Sequence, residues 1–327
     1  MEFWGNLLND SIEPMVTQES IYRDILRLFV WFPLRWVIEN SPVNAGISAL
    51  KKMGYLHFLL SRGKHGNIEE NLCRFKQCTG NAEMEIIREY FENHYVDRLM
   101  IFIFPKFGRK ETEKYIEFEG LDNLDEALKR GRGVVLIHGH FGPVHLPLVA
   151  LSRLGYPLKQ IGLPSDEGLS WTGKKVAFRL RQKYECMIPA EILNAESFLR
   201  PAFKWLHENG IIMITGDGSG TDKHVGKHGV FDFLGHPVSI PLGPALLALK
   251  TGASLNPLFI EPGTKKMYKV VIGNSINQDG NRDAAALTRE FLKQYEQRIK
   301  KFPGFMHFLD RFDESRLIIS KQTLQAS

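Results

Sequence analysis

Gly133-Val-Val-Leu-Ile-His-Gly-His140-Phe-Gly-Pro-Val-His145 is the stretch on which the reading of this chain turns. Val134 to Ile137 are four β-preferring apolar residues that run into a turn carrying two histidines. Pro143 then opens an apolar segment, Leu146 to Leu154, that ends at Gly155. The pattern predicts a buried strand, a tight turn and a helix with proline in its first turn, where the missing N–H costs nothing. Open α/β sheets place their chemistry at strand C-terminal ends beside helix N-termini. A histidine there is favoured in its neutral form, which is the form able to accept a proton.

Outward from this stretch, β-like runs (Val134–Ile137, Ile211–Thr215, Leu255–Ile260, Tyr268–Ile272) alternate with helical ones. The helical runs are Leu146–Leu154, Trp171–Lys183, Phe198–Glu208, Gly243–Lys250 and Ala284–Lys301. Such alternation predicts an α/β fold with a mixed, largely parallel central sheet flanked by helices. Upstream, residues from about 20 to 115 read as mostly helical, with a dense apolar segment from Ile87 to Phe104 that stops before Pro105. Leu124 to Arg130 reads as a short helix with Asn123 as N-cap, Glu126 three residues on and Gly131 closing it. There is no repeat and no Gly/Ser/Pro linker, so the expected division is a helical segment, 1–65, and a single catalytic domain, 66–327.

The run Ile25 to Ile38 contains Arg27, Pro33 and Arg35, which makes it too short and too interrupted to cross a bilayer. Phe29, Trp31, Phe32 and Trp36 beside arginines fit a helix lying in a membrane interface, the alternative being a bent core helix. At 327 residues, with 43% apolar and 24% charged content, the chain can bury a core and is not a disordered segment. A net charge of +5 suits an acidic partner such as phosphates, anionic headgroups or an acidic carrier protein. No arginine-rich arm or zinc-knuckle pattern points to nucleic acid. Three cysteines, Cys73, Cys78 and Cys186, make an odd count without C-x-x-C, which points to reduced thiols. The acidic, polar start (Glu2, Asp10, Glu13) does not read as a signal peptide.

Four polar clusters fall at strand ends or in loops: His138, His140 and His145; Asp217 after Ile211–Ile214; the loop Asp222 to His236; and the basic helix around Arg179 and Arg181. A metal site needs three or four converging ligands. His138-x-His140 and His224-x-x-x-His228 have usable spacing, but Phe141, Gly142 and Pro143 stand where a metallo-hydrolase places further ligands, so no metal is expected. An α/β-hydrolase needs a G-x-S-x-G elbow, and none is present. A histidine that deprotonates an acceptor hydroxyl or amine, which then attacks an acyl thioester, needs neither. It needs a carboxylate to orient the ring and backbone N–H groups for the oxyanion, for which Phe141 and Gly142 are the candidates.

The residues resemble one family. His140-Phe-Gly-Pro-Val-His145 is similar to the H-F-G-N-W-E segment of the lipid A late acyltransferases, within the lysophospholipid acyltransferase superfamily and its H-x(4)-D/E motif. Ile68-Glu-Glu-Asn-Leu72 with Phe75, the Gly-x-x-x-Leu-x-x-Ala-Leu-x-x-Gly-x-Gly run from Gly120 to Gly133, and Arg179-Leu-Arg181 continue the likeness. So do Asp217, Gly229-Val-Phe-Asp-Phe-Leu-Gly235, Gly243-Pro-Ala, Thr251-Gly-Ala with Pro257, and the aromatic stretch Pro303 to Phe312. The resemblance implies a glycerolipid-acyltransferase-like fold and acyl transfer from an acyl carrier protein or coenzyme A thioester to a membrane lipid or glycolipid. It further implies no cofactor beyond the thioester, and peripheral attachment to the cytoplasmic face of the inner membrane.

Under that resemblance His140 is the general base, His145 orients it, Asp217 supplies the carboxylate, and Arg179 and Arg181 meet phosphate. His138 is read as a core histidine. One departure stands out. His145 occupies the position of the motif's glutamate or aspartate, and a second imidazole supplies no negative charge for an imidazolium. Asp217 replaces that carboxylate, or His145 orients a neutral His140, or the chain is an acyltransferase-like lipid- or carrier-binding protein without the standard activity.

Overall fold

The computed structural model describes residues 20–75, 82–162, 166, 168–196, 199–218, 226–277 and 283–312. His224, Cys78 and Phe198, all named above, lie outside them. The chain begins with a helical portion: α1 (Ile21–Phe29), α2 (Arg35–Asn40), α3 (Val43–Leu60), α4 (Arg62–Arg74) and α5 (Ala82–Leu99). Between α1 and α2 a π-helical turn, Val30–Leu34, absorbs Pro33, so Ile25 to Ile38 is one continuous helical path. The expected 65/66 division falls within α4. α3 crosses α5 closely at Gly54, where a Cβ would come within 2.5 Å of the Glu92 Cα. The apolar run after α5 winds into two 3₁₀ turns, Met100–Phe102 and Phe104–Lys106, instead of extending the helix to Phe104. α6 (Arg109–Tyr115) then leads into the sheet.

The sheet portion runs β1 (Ile116–Glu119), α7 (Leu121–Lys129), β2 (Val134–His138), α8 (Leu146–Leu154), β3 (Leu158–Gly162), α9 (Arg179–Glu185), β4 (Glu191–Asn194), α10 (Arg200–His207) and β5 (Ile211–Thr215). It continues through β6 (His228–Phe233), β7 (His236–Pro241), α11 (Gly243–Thr251), β8 (Ser254–Pro262), β9 (Tyr268–Ile272) and α12 (Ala284–Lys301). Seven strands form the central sheet in the order β1-β9-β8-β2-β5-β3-β4, parallel throughout except for the antiparallel β8–β9 pair. This is the mixed, largely parallel sheet that the alternation of β-like and helical runs predicts. β2 lies at its centre between β8 and β5, and all five of its residues are buried, as a strand covered on both faces requires.

Several local expectations are corrected. The helix before β2 starts at Leu121 with Gly120 as its N-cap, because the Asn123 amide is committed to the Ile272 carbonyl (2.8 Å) and does not cap. The helix after β2 starts at Leu146 with Pro147 in its first turn, while Pro143 lies in the preceding turn. Of the loop Asp222 to His236, residues 222–225 lie outside the described residues, and the rest holds β6 and the turn into β7, an antiparallel hairpin with His228 paired to Pro241 and Phe233 to His236. β1, β3 and β4 are edge-side strands too short and too polar to stand out in the sequence. The basic helix carries a π-helical segment, Gly173–Phe178, before α9. Cys73 is disulfide-bonded and Cys186 is free, so the expectation of reduced thiols holds at Cys186 and fails at Cys73.

One buried apolar cluster runs from Trp31 in the helical portion to Phe312 after α12. Trp31 meets the Phe102 ring edge-on at 5.0 Å. On the sheet, Phe259, Phe291, Tyr295 and Phe233 stack in succession with centroids 5.6–6.3 Å apart. That stack fixes α12, and with it Tyr295, under the C-terminal end of β2.

Candidate active site

β2 and β5 are parallel neighbours in register, with His138 opposite Thr215, and the Gly216 N–H continues the ladder to the His138 carbonyl (2.7 Å). The next residues on each strand therefore leave the sheet side by side. His140 and Asp217 meet there although 77 residues separate them in sequence. His140 Nδ1 lies 2.8 Å from Asp217 Oδ1, and the His140 backbone N–H donates to Oδ2 at 2.6 Å. A carboxylate only accepts, so Nδ1 carries the proton and Nε2 carries the lone pair. The Tyr295 hydroxyl lies 3.3 Å from both Asp217 Oδ2 and the His140 carbonyl. Burial and the Asp217 charge hold the Tyr295 pKa well above its ordinary value, so it remains an O–H donor.

Burial disfavours the imidazolium of His140, but the Asp217 charge and hydrogen bond, aided by Asp97, outweigh it and raise the pKa. The His140 side chain is 20% exposed and that of Asp217 is 5% exposed, so solvent reaches the ring while the carboxylate stays buried. His138 is the reverse case. Its Nδ1–H donates to the Gly139 carbonyl (3.1 Å), its Nε2 is buried without a partner, and burial pushes its pKa down to about 4. It lines a small apolar cavity with Phe141, Val144 and Met213, with room for about one water.

The turn after His140 is held from the C-terminal end of the chain. Phe141 pairs with Met306 in an isolated antiparallel bridge, flanked by Gly142 N–H to the Phe305 carbonyl (2.8 Å) and His307 N–H to the His140 carbonyl (3.0 Å). Gly142 has φ +62°, and a Cβ there would come within 2.8 Å of the Phe305 ring. Its N–H is thus engaged with Phe305, whereas the Phe141 N–H takes no part in that ladder.

His145 is the N-cap residue of α8. The hydrogen bond that orients His140 comes from Asp217 and not from His145. Burial, followed by the nearby Arg181 guanidinium, lowers the His145 pKa and favours its neutral form. Arg181 pairs with Glu185 at 2.7 Å, while Arg179 is exposed on the same helix. Among the described residues no three His, Cys, Asp or Glu side chains cluster as a metal site, and no helix is long and apolar enough to cross a membrane.

Tyr295, Asp97 and His307 also border the site, and nothing in their local sequence marks them. Tyr295 is one apolar-face residue of a regular helix, Asp97 one polar residue of another, and His307 sits in an aromatic tail. A periodicity argument assigns all three to packing.

The profile of the bacterial lipid A biosynthesis acyltransferases matches residues 16–313, nearly the whole chain. The chain belongs to this family. Phosphatidylinositol mannoside acyltransferases from two strains of Mycobacterium tuberculosis are each 26% identical to it over 225 residues, 64% of this chain. The match spans 64% of the length of each of these relatives. The matched region includes the strand end that carries His140 and Asp217 and the helical portion around α1–α3.

Proposed function

We propose that this protein transfers a fatty acyl chain from an acyl carrier protein or coenzyme A thioester to a hydroxyl or amine of a membrane lipid or glycolipid, with His140 as general base. The observation that carries the reading is the 2.8 Å contact of His140 Nδ1 with Asp217, which leaves the lone pair on Nε2. In the step proposed, Nε2 takes the acceptor proton as the acceptor oxygen or nitrogen attacks the thioester carbonyl carbon. The tetrahedral oxyanion collapses, the C–S bond breaks, and the thiolate leaves with the proton from Nε2. Asp217 stays ionised and stabilises the transient imidazolium. It gives His140 a carboxylate partner even though position 145 holds a histidine. The Phe141 N–H is the remaining oxyanion donor of the two expected, since that of Gly142 is already donated.

An exposed apolar surface supports the acceptor class. Ile21 (82% exposed), Ile25, Phe29, Phe32 and Trp36 (65%) lie open on α1–α2, and Trp171 (72%) lies beside them. Arg27 ties the two segments together, donating to Asp24 and Ser170 (2.9 and 3.0 Å). Apolar side chains so exposed, with the cations Lys174, Lys175 and Arg179 nearby on the surface, suit a bilayer interface carrying anionic headgroups. Arg179 and Arg181 are then the cations for donor or acceptor phosphate.

Incubation of the purified protein with labelled long-chain acyl-coenzyme A or acyl carrier protein and a membrane lipid extract tests the reading. Acylated lipid should form with wild type and not with His140→Ala. Equal product from both, or none from wild type with either donor, would sink it. Vesicle co-sedimentation should weaken in Ile25→Asp/Trp36→Asp if α1–α2 lies in the interface.

A further inference from the structure

We propose that Asp97 and His307 form a positioning pair for His140, with the α5 carboxylate of Asp97 supplying the second negative charge that His145 cannot. The inference rests on His140 being the base. Asp97 Oδ1 accepts the Val144 N–H at 3.0 Å, and Oδ2 lies 3.8 Å from His307 Nδ1. His307 Nε2 lies 2.8 Å from the Gly142 carbonyl, which only accepts, so that nitrogen carries a proton. The His307 ring stands 6.1 Å from that of His140, and the two backbones are bonded through His307 N–H to His140 O. Every residue of the turn from His140 to Val144, apart from Phe141 and Pro143, is therefore bonded to Asp97, His307, Asp217 or the neighbouring Phe305.

The strap that carries His307 is fastened to the helical portion by Asn71 to the Leu309 carbonyl (2.9 Å), Asn93 to the Gly304 carbonyl (3.0 Å) and Tyr90 to Asp310 (2.6 Å). Asn93 and Asp97 are one turn apart on α5, so one helix holds both the strap and the carboxylate. Asp97 and His307 side chains are each 15% exposed and His140 is 20% exposed, so all three are largely shielded from solvent, where charge acts strongly.

Other charged groups around the site divide by sign. Asp217 and Asp97 favour the His140 imidazolium. His307 feels Arg98 from α5 as well as His140, and His145 feels Arg181 and Glu185 from α9. Buried His138 and the Tyr295 phenol are neutral neighbours. Asp97 acts on His140, His145 and His307 alike, and in each it favours the protonated ring. A motif carboxylate at position 145 would do the same from α8; here the charge comes from α5.

The test is a set of full-length variants read by acyl-transfer kinetics and by NMR titration of ring-labelled histidine, with the His140 signal assigned from His140→Gln. Asp97→Asn should lower kcat about tenfold with KM little changed and should move the His140 titration to lower pH. Adding a carboxylate back, in Asp97→Asn/His145→Glu, should recover most of both effects. His307→Phe should also lower kcat, and His307→Gln, which keeps an N–H donor for the Gly142 carbonyl, should recover it. If Asp97→Asn fails to fold, Asp97→Ser in a His145→Glu background carries the same comparison. An unmoved His140 titration in the Asp97 variants, or loss of rate that His145→Glu does not recover, overturns the proposal and reduces Asp97 to a staple. Absence of any acyl transfer by wild type would instead strike the base assignment, and the titration would still report on Asp97.

Discussion

Replacing Asp217 with asparagine changes one atom and should disable the base through its tautomer. Asp217 accepts twice from His140, at Oδ2 from the backbone N–H (2.6 Å) and at Oδ1 from Nδ1–H (2.8 Å). An asparagine side chain has one acceptor and one donor group. The backbone N–H can only donate, so the amide oxygen must face it, and the NH₂ then faces Nδ1. Nδ1 becomes the acceptor, the ring proton moves to Nε2, and the atom meant to take the acceptor's proton already holds one. The same reversal costs on the order of 10³- to 10⁴-fold in kcat where a histidine base relies on an aspartate, roughly 4 to 5.5 kcal/mol of barrier. The assay is single-substrate kinetics with saturating lipid acceptor and an acyl thioester donor, alongside the pH profile. In wild type the rate should rise with pH as His140, whose pKa is raised, loses its proton. In Asp217→Asn the limb should move to lower pH, because the charge and hydrogen bond that raise the pKa are gone. A loss smaller than tenfold, with the limb in place, would refute the role given to the pair.

Gly142→Ala should destabilise by about 1–3 kcal/mol, since φ +62° strains any side chain and the new Cβ meets Phe305 at 2.8 Å; denaturant unfolding measures it. Gly54→Ala should cost about 1–3 kcal/mol by prising α3 from the α5 backbone, and a variant as stable as wild type would contradict the crossing. Stability should fall as pH drops from near 6.5 towards 4. Burial depresses the pKa of His57, His94, His138, His145 and His307 in the folded state, with His138 at about 4, so below 6.5 the unfolded chain binds more protons. His140 has the opposite sign, contributing below 6.5 and losing its contribution as pH rises through its raised pKa; urea midpoints from pH 7.5 to 5 should be dominated by the five. Tyr295→Phe should lower kcat only a few-fold, because its hydroxyl contacts at 3.3 Å support Asp217 without setting the tautomer of His140.

Much of this protein is written in short-range pattern. The runs Tyr268–Ile272, Leu146–Leu154 and Ala284–Lys301 read from periodicity coincide with β9, α8 and α12, because strands and helices long enough to bury a face repeat their apolar residues at fixed spacing. β1 and β4, at four residues each, are too short for a period to register, and β3 and the β6–β7 hairpin interleave polar residues, glycine and proline that mask a strand pattern. His140 is legible for the same local reason: a buried strand, a glycine and a histidine in succession mark a strand end. Its partner is not. Asp217 stands in a Gly-Asp-Gly turn that reads equally well as turn chemistry, and only the β2–β5 register sets it beside His140.

Asp97 and His307 lie further still from any local signal. They reach the site because α5 and the segment after α12 converge on one turn, a contact between residues 47 and 165 positions away from those they bond. Residue order alone determines which elements form and which of them ends in a histidine. Which carboxylates face that histidine is decided by strand order and helix packing, because charge acts through space and spacing in sequence carries no record of it.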